Sequence, residues 1–323
     1  MRTCRGLPPL SPAASLHAAP SAALGAHGSI GRAITIGSFD GIHLGHQALI
    51  QTTCMLARRE SLTATLLSFY PHPRRFFNRG ARLARILPLR DKLAMLESMG
   101  VDECRLLAFN RPLSEMAAED FVRNLLVQGL GMRHLTVGEA FRFGHRRQGD
   151  TDLLERLGRS LGFAVSIVPA VRDAKGVVSS SRIRDHLEAG HFQEALECLG
   201  HAIELRGRVR RGQQLGRTLG FPTLNLRMPN DLAISGIFSV WVDGLGEQRR
   251  AGVASLGRRP TVENAGRMLL EVFVFDWEGE AYGRDVCVTL VDFIRPEAHF
   301  DSLSAMTHQM QKDLAQAREQ LKQ

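Results

Sequence analysis

Lysine is scarce in this 323-residue chain: Lys92, Lys175, Lys312 and Lys322 are its only lysines, and the rest of its 41 basic residues are arginine. None of the four stands in a GxxxxGK[ST] loop, which excludes P-loop nucleotide chemistry. A site that handles a triphosphate here has to use backbone amides, histidine, arginine and hydroxyls. Stacking aromatics are also few, with two tryptophans and two tyrosines. The net charge of +8 is therefore the whole case for one alternative, a basic nucleic-acid-binding module. Cys4, Cys54, Cys104, Cys198 and Cys287 are scattered without pairing pattern, and neither CxxC nor HExxH occurs, so the thiols fit packing in a reducing cytoplasm. No apolar run approaches a membrane span.

The length suits two domains of ordinary size. Residues 1–30 are rich in Ala, Pro, Ser and Gly and hold no acidic residue. They lack the continuous apolar core of a secretory signal, and Pro8, Pro9, Pro12 and Pro20 break an amphipathic transit helix. A flexible N-terminal extension is expected there.

From 31 to 200, short apolar strands over 33–37, 63–69, 103–109, 134–138 and 163–168 alternate with helical patterns over 44–59, 90–99, 114–128 and 151–161. That rhythm predicts an α/β domain with a mainly parallel sheet. Ligands in such sheets bind beyond the carboxyl ends of the strands, where loops 37–46, 69–73 and 138–144 fall. From 201 to 323 the rhythm is strand after strand, over 202–211, 236–243, 249–256, 268–277 and 285–293, before one closing helix over 302–322. This predicts a small all-β barrel with a C-terminal helix.

Gly37-Ser38-Phe39-Asp40-Gly41-Ile42-His43-Leu44-Gly45-His46 joins the first strand to the first helix. A strand–turn–helix junction aims free N–H groups and the positive end of the helix dipole at one place, which suits an anion. His43 and His46 are three apart, so they are expected on one face of the first helical turn, both able to donate to phosphate. A solvated helix start and a metal pair are the other readings of two such histidines. Farther on, Val178-Ser179-Ser180-Ser181-Arg182-Ile183-Arg184 offers hydroxyls at a helix start and an arginine one turn later; a helix cap alone would explain the serines.

The stretch 206–226 places Gly212, Gly216 and Gly220 where backbone amides can approach phosphates, next to Arg217, Pro222, Thr223 and Asn225. Thr223 and Asn225 supply neutral oxygens of the kind magnesium accepts. In Met268-Leu269-Leu270-Glu271-Val272-Phe273-Val274-Phe275 a single carboxylate interrupts an apolar strand and shares a face with Leu269, Phe273 and Phe275. Either it lies on an edge strand in water, or it is a buried carboxylate with a partner or a role as general base.

These strings together resemble the bacterial bifunctional riboflavin kinase/FAD synthetase family over nearly the whole chain from residue 33. GxFDGxHxGH resembles its adenylyltransferase signature, GRxLGFPTxN its riboflavin kinase signature, and LEVFVFD its LEVxxFD pattern. The opening 1–6 also resembles the family's short first strand. The resemblance implies ATP binding by Gly37, Phe39, Asp40, His43, His46, Ser180, Ser181 and Arg184 in the first half, with serine at 181 in place of the usual threonine. It implies Mg-ATP binding around Gly212, Gly216, Arg217, Gly220, Pro222, Thr223 and Asn225 in the second, with Thr223 and Asn225 at the metal and Glu271 as catalytic base. Leu224 replaces the commoner alanine of PTAN. Pro71, His72, Pro73, Arg295 and Phe300 become candidate flavin contacts, and Gly257-Arg258-Arg259-Pro260-Thr261 and Tyr282-Gly283 extend the match. The implied partners are ATP, riboflavin, FMN and FAD, with Mg2+ as cofactor, and no nucleic acid or membrane.

Two departures stand out. Ser38 replaces a common asparagine, and Ala140 stands where the family has Asp or Asn just before FxFG, here Phe141-Arg142-Phe143-Gly144. Glu139 or a water can substitute, or the adenylyltransferase is weak, which gives a further alternative, a riboflavin kinase with an impaired second half. Ala140→Asp is expected to raise FAD formation from FMN and ATP; an unchanged rate would show that the surroundings of residue 140 have already adapted.

Overall fold

In a computed structural model the chain is described over residues 31–78, 83–212, 221–258 and 266–322. The expectations for 1–30, for Gly216, Arg217 and Gly220, and for Arg259, Pro260 and Thr261 lie outside the described residues. Contacts divide the chain into two units. One runs to Ser38 and continues through His46–Arg79 and Met95–Val171; the other comprises Phe39–Gly45, Gly80–Ala94 and Arg172–Gln323.

The first unit is built on a five-stranded, all-parallel sheet of β1 (Arg32–Ile36), β2 (Thr63–Tyr70), β3 (Glu103–Ala108), β4 (Met132–Gly138) and β5 (Ala164–Val168), in the order β3-β2-β1-β4-β5. β1 is buried along Ala33, Ile34, Thr35 and Ile36, as a central strand covered on both faces must be. Strand order reverses between β1 and β4, so a crevice is expected at their carboxyl ends, beyond Ile36 and Gly138.

The connecting helices are α1 (Leu44–Arg59), α2 (Pro73–Phe77), α3 (Leu89–Ser98), α4 (Arg111–Glu115), α5 (Ala118–Asp120) and α6 (Thr151–Leu161). Asp150 caps α6 by accepting the Leu153 N–H at 2.9 Å, and Gly162 ends it in the left-handed conformation. Ile34, Leu67, Leu126, Leu135, Val137, Leu154 and Phe163 form part of one core.

The continuous helix expected over 114–128 is corrected. α4 stops before Met116, whose backbone is extended and whose carbonyl accepts the His145 N–H at 2.8 Å. The chain then re-enters α5 and runs on as a π-helical stretch, Phe121–Gly129. A tertiary hydrogen bond thus overrides a local helical pattern. Missed elements include α7 (Ser180–Glu188), expected only as a helix start, α8 (Phe192–Leu199), and a two-residue hairpin of β6 (Arg172–Asp173) with β7 (Gly176–Val177).

The second unit carries β8 (Ile203–Arg208), β9 (Thr223–Arg227), β10 (Gly236–Asp243), β11 (Arg250–Arg258), β12 (Met268–Val274) and β13 (Asp285–Arg295), then α9 (Leu303–Leu321). The sheet is antiparallel in the order β8-β13-β10-β11-β12-β9. Its edge strands meet where the Arg210 N–H donates to the Asn225 carbonyl at 2.9 Å, so the sheet curls into a barrel. Alternation fills the inside with Leu224, Leu226, Phe238, Val240, Ala254, Leu256, Leu270 and Val272. β9 is a strand where the sequence suggests only a loop, because Leu224 and Leu226 point inward two residues apart.

α9 covers an outer face of the barrel. Ser302 caps it through the Ala305 N–H at 3.1 Å, and Ala317 and Leu321 pack with Ala251 and Phe275. Arg295 of β13 grips Asp313 of α9 through two bonds, Nε to Oδ1 at 2.9 Å and Nη2 to Oδ2 at 2.7 Å, and the Asp313 side chain is only 5% exposed. Removing one partner of a buried pair strands the other. Asp313→Ala is expected to cost roughly 2–4 kcal/mol in urea unfolding, whereas Arg295→Met with Asp313→Leu together should cost less than the sum of the single changes.

Candidate functional site

The turn Phe39–Gly45 departs sharply from ordinary backbone. Phe39 (φ +48°), Gly41 (φ +83°) and Ile42 (φ +44°) all lie in the left-handed region. For a β-branched residue such as Ile42 that is a true outlier, and each strained non-glycine residue costs about 1–3 kcal/mol. Glycine is required at 41, where a Cβ would stand 2.9 Å from Ile86 and 3.2 Å from Leu199. Phe39 and Ile42 are fully buried and pin the turn from within.

The turn is fixed from outside through Asp40. Its Oδ1 accepts the Ile86 N–H at 3.1 Å, its Oδ2 pairs with the Arg184 guanidinium, and its carbonyl accepts the Ser180 hydroxyl at 2.9 Å. Arg184 also donates to the Ala84 carbonyl at 2.6 Å and to the Ser180 carbonyl at 3.2 Å. The family resemblance implies ATP contacts for Asp40, Ser180 and Arg184; the structure shows them bonded to one another and holding the turn. Ser179, not Ser180, caps α7 by accepting the Arg182 N–H, while Ser181 is exposed in the first turn.

α1 starts at Leu44, so His43 precedes the helix instead of sharing its first turn with His46, a correction to the expected common helical face. His43 is buried, and burial drives its pKa down from 6.5 to about 4; nearby Asp40 opposes the shift, and Arg184 and His201 add to it. A neutral imidazole results at physiological pH, able to donate one hydrogen bond to a phosphate oxygen without bringing a charge.

In the first unit, Gly37 follows β1 and Pro71, His72 and Pro73 follow β2, as loops beyond the carboxyl ends of parallel strands do. His72 caps α2 by accepting the Arg74 N–H at 3.1 Å. Sequence reading missed the aromatic cluster beside them: Phe69, Phe76, Phe77 and Phe109 meet edge to face at 5.3–5.7 Å, with Phe77 69% exposed. The adjacent phenylalanines 76 and 77 were the available signal. Glu139 and Ala140 follow Gly138 at the end of β4, both exposed.

The barrel places its candidate residues in rows. Asn225 of β9, Glu271 of β12 and Ser255 of β11 are register partners across three strands, and Thr223 pairs with Phe273 in the next row but one along the strands. Partners directly opposite share a face, so Thr223, Asn225, Glu271, Ser255 and Phe273 lie on the same outer side. β12 runs inside the sheet between β11 and β9, so Glu271 is not on an edge strand. A cavity of about 300 Å³ opens on this face, lined by Phe221, Thr223, Glu271, Phe273, Arg295 and Phe300 together with methionines of α9. Gly212 lies so close to Asn225 that a Cβ there would stand 2.6 Å from Oδ1. The Asn225 amide nitrogen donates to the Thr223 carbonyl at 3.1 Å. Arg295, already held by Asp313, stands over the Phe300 ring at 5.7 Å. A second carboxylate comes from the 295–300 segment: Glu297 lines the same cavity and lies against Gly257, where desolvation and the charge of Glu271 raise its pKa against the opposing Arg258 N–H.

The FAD synthetase family model matches residues 27–182 and the riboflavin kinase family model matches residues 199–321. The chain is 38% identical over 290 residues to the bifunctional riboflavin kinase/FMN adenylyltransferase of Escherichia coli K12, covering 90% of this chain and 92% of that one. The chain belongs to the bifunctional riboflavin kinase/FMN adenylyltransferase family. The Pseudomonas fluorescens member is 39% identical, covering 88% of this chain and 91% of its own length. A crystal structure of a macrolide-efflux protein from Streptococcus pneumoniae superposes with a TM-score of 0.74 at 29% identity, over 88% of this chain and 92% of that one. Among the described residues no helix is long and apolar enough to cross a membrane.

Within this family frame, the Phe39–Gly45 turn falls inside the FAD synthetase match and the Glu271 row inside the riboflavin kinase match. Because the folded pKa of His43 lies below its ordinary value of 6.5, the unfolded chain takes up the proton first. The contribution of His43 to stability is therefore complete above pH 6.5 and is lost as pH falls toward 4. NMR titration is expected to find the His43 ring neutral at pH 6, and His43→Gln should remove its part of the acid sensitivity of unfolding.

Proposed function

We propose that this chain makes both flavin cofactors from riboflavin. The barrel transfers the γ-phosphoryl group of ATP to the ribityl 5′-hydroxyl, giving FMN and ADP; the α/β half then transfers AMP from a second ATP to the FMN phosphate, giving FAD and pyrophosphate. The observation that carries this reading is the register that sets Glu271 opposite Asn225 on the wall of an apolar cavity. Glu271 accepts the proton of the 5′-hydroxyl as its oxygen bonds to the γ-phosphorus and the bond to ADP breaks. Phe221, Phe273 and Phe300 give the cavity flat apolar walls suited to an isoalloxazine ring, with Arg295 at its rim.

Phosphoryl and adenylyl transfer from ATP generally need a divalent metal, and the kinase residues fit magnesium. The Asn225 nitrogen is used by the Thr223 carbonyl, which turns Oδ1 the other way, and the Thr223 hydroxyl stands on the same face. Two neutral oxygens suit an ion that keeps water and phosphate oxygens in its shell. Bound there, Mg2+ would neutralise charge on the phosphates of ATP. Gly212, packed against Asn225, would bring its backbone amide to the same phosphates.

In the adenylyltransferase half, Gly37, Phe39 and the start of α1 present backbone to the triphosphate, and His43 and His46 donate to it as pyrophosphate departs. Asp40, Ser180 and Arg184 act there chiefly by fixing the turn, and Ser181 is exposed in the first turn of α7. Pro71, His72 and Pro73 with the neighbouring phenylalanines would receive the flavin. We assign 31–200 to the adenylyltransferase, 201–323 to the kinase and 1–30 to an extension; the buried thiols of Cys54, Cys104 and Cys198 support a cytoplasmic location.

One observation favours a second reading, a kinase with a weakened adenylyltransferase: Ala140 has no polar side chain to offer the nucleotide. Glu271→Gln is expected to lower riboflavin phosphorylation about 1,000-fold while leaving conversion of FMN to FAD intact. His43→Ala should do the reverse. Kinase activity surviving in Glu271→Gln would remove the base, and wild-type protein that makes FMN but no FAD would establish the second reading.

A further inference from the structure

The strained turn has one more attachment, from a residue that neither reaction has yet used. His201 follows α8 and stands two residues before the first strand of the barrel; it lies beyond the FAD synthetase match, which ends at 182, and within the riboflavin kinase match, which begins at 199. Its Nε2 stands 2.9 Å from the Gly41 carbonyl and its Nδ1 2.8 Å from the Ala202 carbonyl. A carbonyl oxygen only accepts, so the Gly41 contact is a hydrogen bond in the tautomer that carries its proton on Nε2. Leu199, two residues earlier, closes on Gly41 from the same segment.

The Gly41 carbonyl belongs to the peptide plane that joins Gly41 to Ile42, and the orientation of that plane sets the φ of Ile42, the strained residue directly before His43. The bonds from Ile86, Ser180 and Arg184 reach Asp40, one residue upstream. Among the described hydrogen bonds, that of His201 acts on the plane leading to His43 itself. We infer that His201 is a positioning residue for adenylyl transfer, supplied by the kinase segment, which acts through the Gly41 carbonyl to hold His43 toward the phosphates of ATP. The inference rests on the reading of this turn as the AMP-transfer site.

Glutamine and asparagine separate the two ring contacts, since a glutamine amide nitrogen reaches about as far as Nε2 and an asparagine nitrogen about as far as Nδ1. Full-length His201→Gln, His201→Asn and His201→Ala are compared for FAD formation from FMN and Mg-ATP and for FMN formation from riboflavin and Mg-ATP. The glutamine variant is expected to stay within about three-fold of wild type in kcat for adenylylation. The asparagine and alanine variants should lose about 10- to 100-fold in kcat, with a much smaller change in KM for ATP, as misplacement of a reacting group does. Kinase rates should stay unchanged in all three. Wild-type adenylylation in the alanine variant, failure of glutamine to rescue, or a kinase rate falling in step would overturn the inference. His43→Ala serves as the control: if it leaves FAD formation intact, the reading of the turn itself fails, whereas its inactivity beside a normal His201→Ala rejects the role of His201 alone.

Discussion

Asp40 anchors a turn that its own neighbours disfavour. Phe39 and Ile42 hold left-handed backbone on either side of it, and such a conformation persists only where the surroundings determine it. The surroundings come from far along the chain: the Ile86 amide, the Ser180 hydroxyl and the Arg184 guanidinium converge on Asp40. Placing an uncompensated carboxylate there would be costly, so the pair with Arg184 and the turn stand or fall together. From that constraint follow the burial of His43 and its neutral ring.

The barrel solves a different problem, that of placing polar groups on a sheet without disrupting its core. Leu224 and Leu226 face inward while Thr223 and Asn225 face outward, and Leu270 and Val272 do the same for Glu271. The period of two separates packing from chemistry along each strand, and the antiparallel register then aligns the chemistry across strands. α9 completes the arrangement. Its Asp313 holds Arg295 at the cavity, and its methionines close one side. The site is thus formed on rigid strands and covered by a helix that docks through Ala317 and Leu321 and through two charged pairs, Arg295 with Asp313 and Arg318 with Asp276.

Much of this was legible in the residues. The alternation of strands and helices to 168 gave a parallel sheet, and α1 and α6 start and stop at Leu44, Arg59, Thr151 and Leu161 as their patterns indicate. Glu271 showed itself as a lone carboxylate in an apolar strand. What stayed hidden depends on contacts distant in sequence. Met116 breaks a helix because His145 bonds it; Arg184 and Asp40 spend their charges on each other across 144 residues. β9 was obscured by the glycines before it, though its alternating leucines carried the signal. His201 has no local signature at all, since it is defined by its contact with Gly41.

The central claim is that one chain carries both reactions, each on its own site. The most direct measurement incubates the purified protein with riboflavin and Mg-ATP, and in parallel with FMN and Mg-ATP, and separates riboflavin, FMN and FAD by chromatography. FAD from both mixtures is the predicted result. FMN from the first mixture with no FAD from either, or no flavin product from riboflavin at all, would contradict it.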